Sequence, residues 1–229
     1  MAQAIDYEML SRMQLFAGTE PNEVAAMLHC LNAHVRFYRK GDYVLRQGDL
    51  TDDFGLILEG KVRIESNDVW GRVNVMGQPA AGALFAEVFA VLPREPLRVS
   101  VVAAADCRVL FLDAARVMTS CTNACQYHSV VSKNLIRLIA QKNLGLSDKI
   151  SCQMPRTVRG KLLVFLSRQA QEANSSEFDI AFNRQQLADY LGVDRSVLSS
   201  ELSKMQREGL LETKRSHFVL RVDPTTGSE

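Results

Sequence analysis

No segment of the 229-residue sequence stays apolar for long enough to cross a bilayer, which takes about 20 consecutive residues. The first ten residues, MAQAIDYEML, carry acids where a secretory signal would carry bases, so neither a membrane protein nor an exported one is expected, and the protein belongs in the cytoplasm. Cysteine is sparse. Five residues at uneven spacing, an odd number in a chain without an export signal, speak for free thiols or ligands rather than a disulfide framework. No nucleophile stands at a recognisable distance from a base, and neither a glycine-rich phosphate loop nor a metalloprotease motif occurs, so an enzyme is not expected. Low-complexity segments and convincing internal repeats are missing too. The net charge of +1 shows almost no bias, but it averages two unlike parts. Lys149 to Arg221 holds 12 Lys and Arg against 8 Asp and Glu, a balance of +4, while the remainder sums to −3.

The basic part contains the most informative stretch, Asn183 to Leu211, NRQQLADYLGVDRSVLSSELSKMQREGLL. Leu187, Ala188 and Leu191 form the apolar stripe of a short helix, and Gly192 supplies the left-handed residue that ends it. Val193 is the apolar turn residue, and Asp194 is suited to cap a second helix whose Val197, Leu198, Leu202 and Met205 recur at helical spacing. Arg195, Ser196, Ser199, Ser200 and Lys204 are left facing outward, with Arg184 opening the first helix. Small hydroxyl residues around an arginine let a helix approach a groove floor closely, and arginine bonds guanine through two donors at once. An amphipathic hairpin packed on a core would share part of this pattern. Beyond it, Glu208-Gly209 breaks the helix, and Leu211 to Leu220 alternates like two strands around a basic turn, which makes a winged helix-turn-helix. Lys214 and Arg215 sit where a wing touches phosphates, so double-stranded DNA is the expected partner and a protein-interaction winged helix the alternative.

Upstream, 47% hydrophobic content over 229 residues suffices for one medium and one small domain. Residues from about 5 to 32 read as short helices. From Val35 to Leu112 short strands follow, over 35–38, 43–45, 54–58, 61–64, 72–75 and 108–112, punctuated by Gly41, Gly48 and Gly60, as in a barrel or jelly roll. From Ala114 to Ile150 the chain turns helical, with Val131, Leu135, Leu138, Ile139, Leu146 and Ile150 near a coiled-coil repeat. A helix apolar on more than one side needs two partners, here the β-domain and the same helix of a second subunit. Pro155 marks a hinge, and Phe178 to Phe182 a strand. The fold class is α+β: an N-terminal β-roll over 1–113, a dimerisation helix and hinge over 114–154, and a DNA-binding winged helix-turn-helix over 155–229.

The segments Tyr38-Arg39-Lys40-Gly41-Asp42-Tyr43-Val44-Leu45-Arg46-Gln47-Gly48-Asp49 and Leu58-Glu59-Gly60-Lys61-Val62-Arg63-Ile64 resemble the β-roll signatures of the CRP/FNR superfamily of bacterial transcription regulators. With the long helix and the winged helix behind them, the resemblance covers nearly the whole chain. It implies a cyclic-nucleotide-binding-like roll that senses a signal, a helix that pairs two subunits, a palindromic DNA site and RNA polymerase as a further partner. In the family's cyclic-nucleotide binders a glycine-glutamate step grips the ribose and an arginine-serine pair binds the phosphate. Here Ala86 precedes Glu87 in place of the glycine, and Arg98 is followed by Val99 in place of the serine. The purine-facing pair of the long helix falls on Gly145 and Leu146. A signal other than cyclic AMP is therefore expected, with Phe85, Glu87, Arg98 and Ser100 as candidate effector contacts and Glu87 with Arg98 as an alternative structural ion pair. Ser196 stands where the family commonly has a glutamate, so the half-site should depart from the usual one.

The fumarate-nitrate type holds an iron-sulfur centre on an N-terminal cysteine cluster, and no cysteine precedes Cys30. Cys121, Cys125 and His128 stand at i, i+4 and i+7, one helical face that could bind a soft metal or carry a redox-active thiol. Three ligands are one short of a closed zinc site, and the alternative is packing cysteines beside a surface histidine. Cys107 reads as a strand residue and Cys152 as a hinge residue. Haem, used by some superfamily members to sense gases, finds only scattered His, Cys and Met residues here, so the cofactor stays unknown.

Overall fold

A computed structural model of the protein describes residues 5–68, 70–92, 94–119 and 126–221. The chain divides into two compact units, Met1–Gln141 and Lys142–Glu229. Among the described residues no helix is long and apolar enough to cross a membrane.

The first unit opens with helices α1 (Tyr7–Ser11) and α2 (Pro21–Cys30). Pro21 starts α2 where its missing N–H costs nothing, and Glu20 and Glu23 close a reciprocal capping box around that start. Eight strands follow: β1 (His34–Tyr38), β2 (Tyr43–Leu45), β3 (Asp53–Glu59), β4 (Val62–Asn67), β5 (Val73–Gly77), β6 (Leu84–Phe85), β7 (Ser100–Ala103) and β8 (Cys107–Asp113), with the short helix α3 (Glu87–Val91) after β6. They form two antiparallel sheets, ordered β1-β8-β3-β6 and β2-β7-β4-β5. Between them lies an interior of Val44, Ile57, Val62, Phe85, Val101, Ala103, Val109 and Phe111. Helix α4 (Ala114–Met118) begins at the Asp113 cap, and α5 (Gln126–Gln153) runs 28 residues. Val131 and Leu135 of α5 join Leu10, Phe16, Met27, Leu31 and Leu110 in a second core.

The second unit holds α6 (Val158–Ala173), β9 (Glu177–Asp179), α7 (Arg184–Leu191), α8 (Arg195–Arg207), β10 (Leu211–Lys214) and β11 (His217–Leu220). Thr157 caps α6 through its hydroxyl, which accepts from Gly160 N at 3.0 Å. The sheet order is β10-β11-β9, and Leu162, Phe165, Leu166, Leu187, Leu191, Leu198, Leu202, Met205 and Phe218 fill the core beneath it.

The structure departs from the sequence pattern in several places, the two-residue strand β6 among them. Strand β7 escapes the alternation test because all four of its residues are buried, so both faces read as apolar. The helix expected from Ala114 to Ile150 is two helices, α4 and α5. Strand β9 ends at Asp179, after which Ile180 N donates to Ser216 O at 2.9 Å. Cys152 lies in the last turn of α5, not in a hinge, and is buried in the core of the second unit, which pushes its thiol pKa up.

Helix α5 also sorts its apolar residues differently. Leu135 is buried within its own chain and Leu138 packs against the same core, whereas Ile136, Leu146 and Ile150 are 66%, 63% and 61% exposed. The large aliphatic residues of α5 that the single chain leaves exposed are therefore Ile136, Leu144, Leu146 and Ile150, not Leu135 and Leu138.

Candidate nucleic-acid interface and signal site

The turn between α7 and α8 is fixed by local chemistry. The Asn183 side chain accepts from Gln186 N at 3.0 Å, and the Gln186 side chain accepts from Asn183 N at 2.9 Å, which satisfies two of the free donors at the start of α7. Gly192 ends the helix at φ +62°, a conformation that costs an L side chain strain. Asp194 occupies the cap position of α8, but its carboxylate makes no capping hydrogen bond, contrary to the sequence expectation.

Leu198, Leu202 and Met205 bury one face of α8. Arg195, Ser196, Ser200 and Lys204 are exposed on the other, and Ser199 is half-buried. Val197, which helical spacing assigns to the core, is 47% exposed and stands with the polar residues. An arginine clamp that no sequence pattern signals holds the helix in place. Arg159 Nε on α6 donates to Glu201 Oε1 at 2.6 Å, and its Nη1 meets Glu208 Oε2 at 2.8 Å, so the middle of α8 and its C-cap are tied to one side chain. The guanidinium holds the Glu208 carboxyl below its ordinary pKa, so the Glu208 arm of the clamp is charged at neutral pH and weakens as acid protonates that group.

The wing is the β10–β11 hairpin, with Lys214 paired to His217 and Arg215-Ser216 at its tip. Lys214 and Arg215 are exposed, and Arg215 sits at φ +57°, strained for a residue with a side chain. Arg184 is half-buried. Its Nη2 donates to Thr213 Oγ1 at 2.7 Å, its guanidinium lies 5.1 Å from the centre of the Phe218 ring, and burial lowers its pKa. It thereby fastens the start of α7 to the wing. Arg184, Arg195 and Arg215 line one open groove of about 690 Å³. Three arginines from separate elements thus line one concave surface, the Arg184 guanidinium being held there by Thr213 and Phe218.

The signal candidates are not brought together in the same way. Phe85 is buried in the roll interior, its ring edge-on to Phe111 at 6.2 Å and its para end against Gly55, where a Cβ would stand 2.1 Å from the ring. Glu87 is buried at the start of α3, behind Ala86 at φ +61°. That left-handed conformation explains why a glycine suits the position. Arg98 is exposed on its loop, and its Nε and Nη2 both donate to Glu95 Oε1, at 3.0 and 2.7 Å. Ser100 is buried, but alternation along β7 places it on the opposite face from Val101 and Ala103, and its hydroxyl accepts from Gln47 N at 3.0 Å. Sequence reasoning missed the half-buried Tyr38, whose phenol pKa is raised by burial, and the buried Glu65, which takes Arg63 Nε at 2.6 Å.

Cys121 and Cys125 lie outside the described residues. His128 is buried rather than on the surface, and its Nδ1 has no hydrogen-bond partner. Among the described residues no group of three or more His, Cys, Asp and Glu is arranged to hold a metal.

Comparison with known proteins follows the same division of the chain. The family of cyclic nucleotide-binding domains matches residues 35–123, and the Crp-like helix-turn-helix domain matches residues 160–225. Over 214 residues the chain is 24% identical to the CRP-like cAMP-activated global transcriptional regulator of Mycobacterium tuberculosis, covering 93% of this chain and 94% of that protein. The Thermus thermophilus catabolite activator protein shares the fold with a TM-score of 0.51 at 24% identity, over 91% of this chain and 93% of that one. So does the c-di-GMP responsive global regulator CLP of Xanthomonas campestris, with a TM-score of 0.54 at 19% identity, over 89% and 100%. A cyclic-nucleotide-binding roll, a long helix and a Crp-like helix-turn-helix follow one another in order, and the chain belongs to the CRP/FNR superfamily of transcription regulators.

Proposed function

We propose that the protein acts in the cytoplasm as a homodimer that binds a two-fold-symmetric DNA site. The roll over 1–113 receives a small-molecule or redox signal other than cyclic AMP, residues 114–154 pair the subunits, and residues 155–229 read the DNA. The observation that carries the DNA function is the groove lined by Arg184, Arg195 and Arg215, with Ser196 and Ser200 exposed on the helix that Arg195 opens. Arg215 adds to this. A glycine would fit a wing turn at φ +57° without strain, so an arginine there is retained at a cost in backbone energy that a phosphate contact explains.

The wing supplies the test. Replacing Lys214 and Arg215 by alanine is expected to weaken specific and nonspecific DNA about equally and to lower the salt slope by roughly two phosphate contacts per subunit. Binding isotherms across a salt series check it. A changed sequence preference at an unchanged slope would contradict the assignment.

The signal is set apart from cyclic AMP by chemistry on the roll. The relative named as cAMP-activated is 24% identical, and the guanidinium donor expected at the phosphate is that of Arg98, here exposed and paired to Glu95. The interior offers Phe85, Val101 and Phe111, to which a phosphate would be desolvated without donors, at a cost of several kcal/mol. Calorimetry with cyclic AMP is expected to give no binding in the micromolar range. An affinity near 1 μM, about −8 kcal/mol, would contradict this.

A further inference from the structure

We infer that Val197 reads a base, taking the C5-methyl group of one thymine in each half-site, an assignment that rests on the DNA-binding function proposed above. The core face of α8 is complete without it, since Leu198, Leu202 and Met205 are buried and Val197 is 47% exposed. Val197, Ser200 and Lys204 stand at i, i+3 and i+7, one stripe of the helix, with Val197 two residues past Arg195 and about 200° around the helix from it.

An exposed valine is a poor choice for helix stability, because its branched side chain loses rotamer freedom against the preceding turn. The same stiffness is useful at an interface, where a side chain held in one rotamer has little freedom left to lose on binding. The partner must be apolar, and on the base edges of the major groove the thymine methyl is the group that fits. The flanking Ser196 and Ser200 are small enough to let the helix bring a short side chain down to that depth.

The test uses the full-length protein and an operator it selects from random duplex DNA. Each dT of the half-site is replaced in turn by dU, which removes the methyl group and leaves the base pairing intact, and affinity is measured by gel shift. One position per half-site is expected at which dU weakens the wild-type protein about four-fold, the equivalent of one buried methyl at about 0.8 kcal/mol. At that position Val197→Ala should bind the dT and dU operators alike. Val197→Thr, which keeps the branched shape and one methyl, should retain part of the difference. Indifference of the wild type to dU at every position, or an undiminished preference for dT in Val197→Ala, would overturn the assignment while leaving the DNA-binding function intact. Failure to recover any operator would overturn that function and the assignment with it.

Discussion

A full-length chain carrying Ile136→Asp and Ile150→Asp is expected to sediment as a folded monomer. Positions 136, 143 and 150 follow a seven-residue repeat, interleaved with 139 and 146, and they place Ile136, Leu146 and Ile150 on a seam that is largely exposed in the single chain. Asn143 holds the intervening position, where one polar residue in such a seam fixes register at some cost in stability. In a dimer the two substitutions would bury four carboxylates without partners, each at several kcal/mol, against a total of about 8 kcal/mol for a micromolar dimer. Because both isoleucines are exposed, the fold of each unit should be unaffected, with an unchanged far-UV spectrum. Loss of the second reading head removes the avidity gained by linking two sites, so operator affinity should fall by about 10²–10⁴-fold. A double variant that remains dimeric would remove α5 as the interface. By contrast, Leu135→Asp would place a charge in the core of the first unit and report on folding rather than on pairing.

Arg195→Ala is expected to lose about 1–3 kcal/mol of discrimination at one base pair of each half-site, and so about 2–6 kcal/mol over a palindrome if the two sites act independently. The side chain is exposed at the first position of α8 and lines the arginine groove, so its removal leaves the core of the second unit untouched. A selection with the variant should return the wild-type motif with one position per half-site flattened. An unchanged motif would mean that Arg195 contacts phosphate or solvent instead.

The parts of the molecule that were legible in the sequence are those governed by neighbours in the chain. The Gly192 stop and the buried Leu198, Leu202 and Met205 are local, and so are the glycine turns that punctuate the roll. Alternation fails for β7, buried on both faces, and helical spacing alone cannot separate Val197 from Leu198 at the edge of an apolar stripe. For α5, spacing finds apolar residues on two sides without saying which side belongs to the chain itself. That division, Leu135 inward and Ile136 outward, depends on helices α1 and α2 more than 100 residues earlier. The Arg159 clamp likewise joins residues 42 and 49 positions apart and has no local signature. The pairing of Arg98 with Glu95 spans three residues, but sequence alone offers Glu87 as an equally charged partner.

The central claim is that the chain reads a symmetric DNA site as a dimer, and selection of binding sites from random duplex DNA by the full-length protein tests it most directly. The predicted result is one enriched motif with two-fold symmetry, its half-sites centred about one helical turn, or 10–10.5 base pairs, apart. Recovery of no motif, or of a single asymmetric site bound by a monomer, would contradict it.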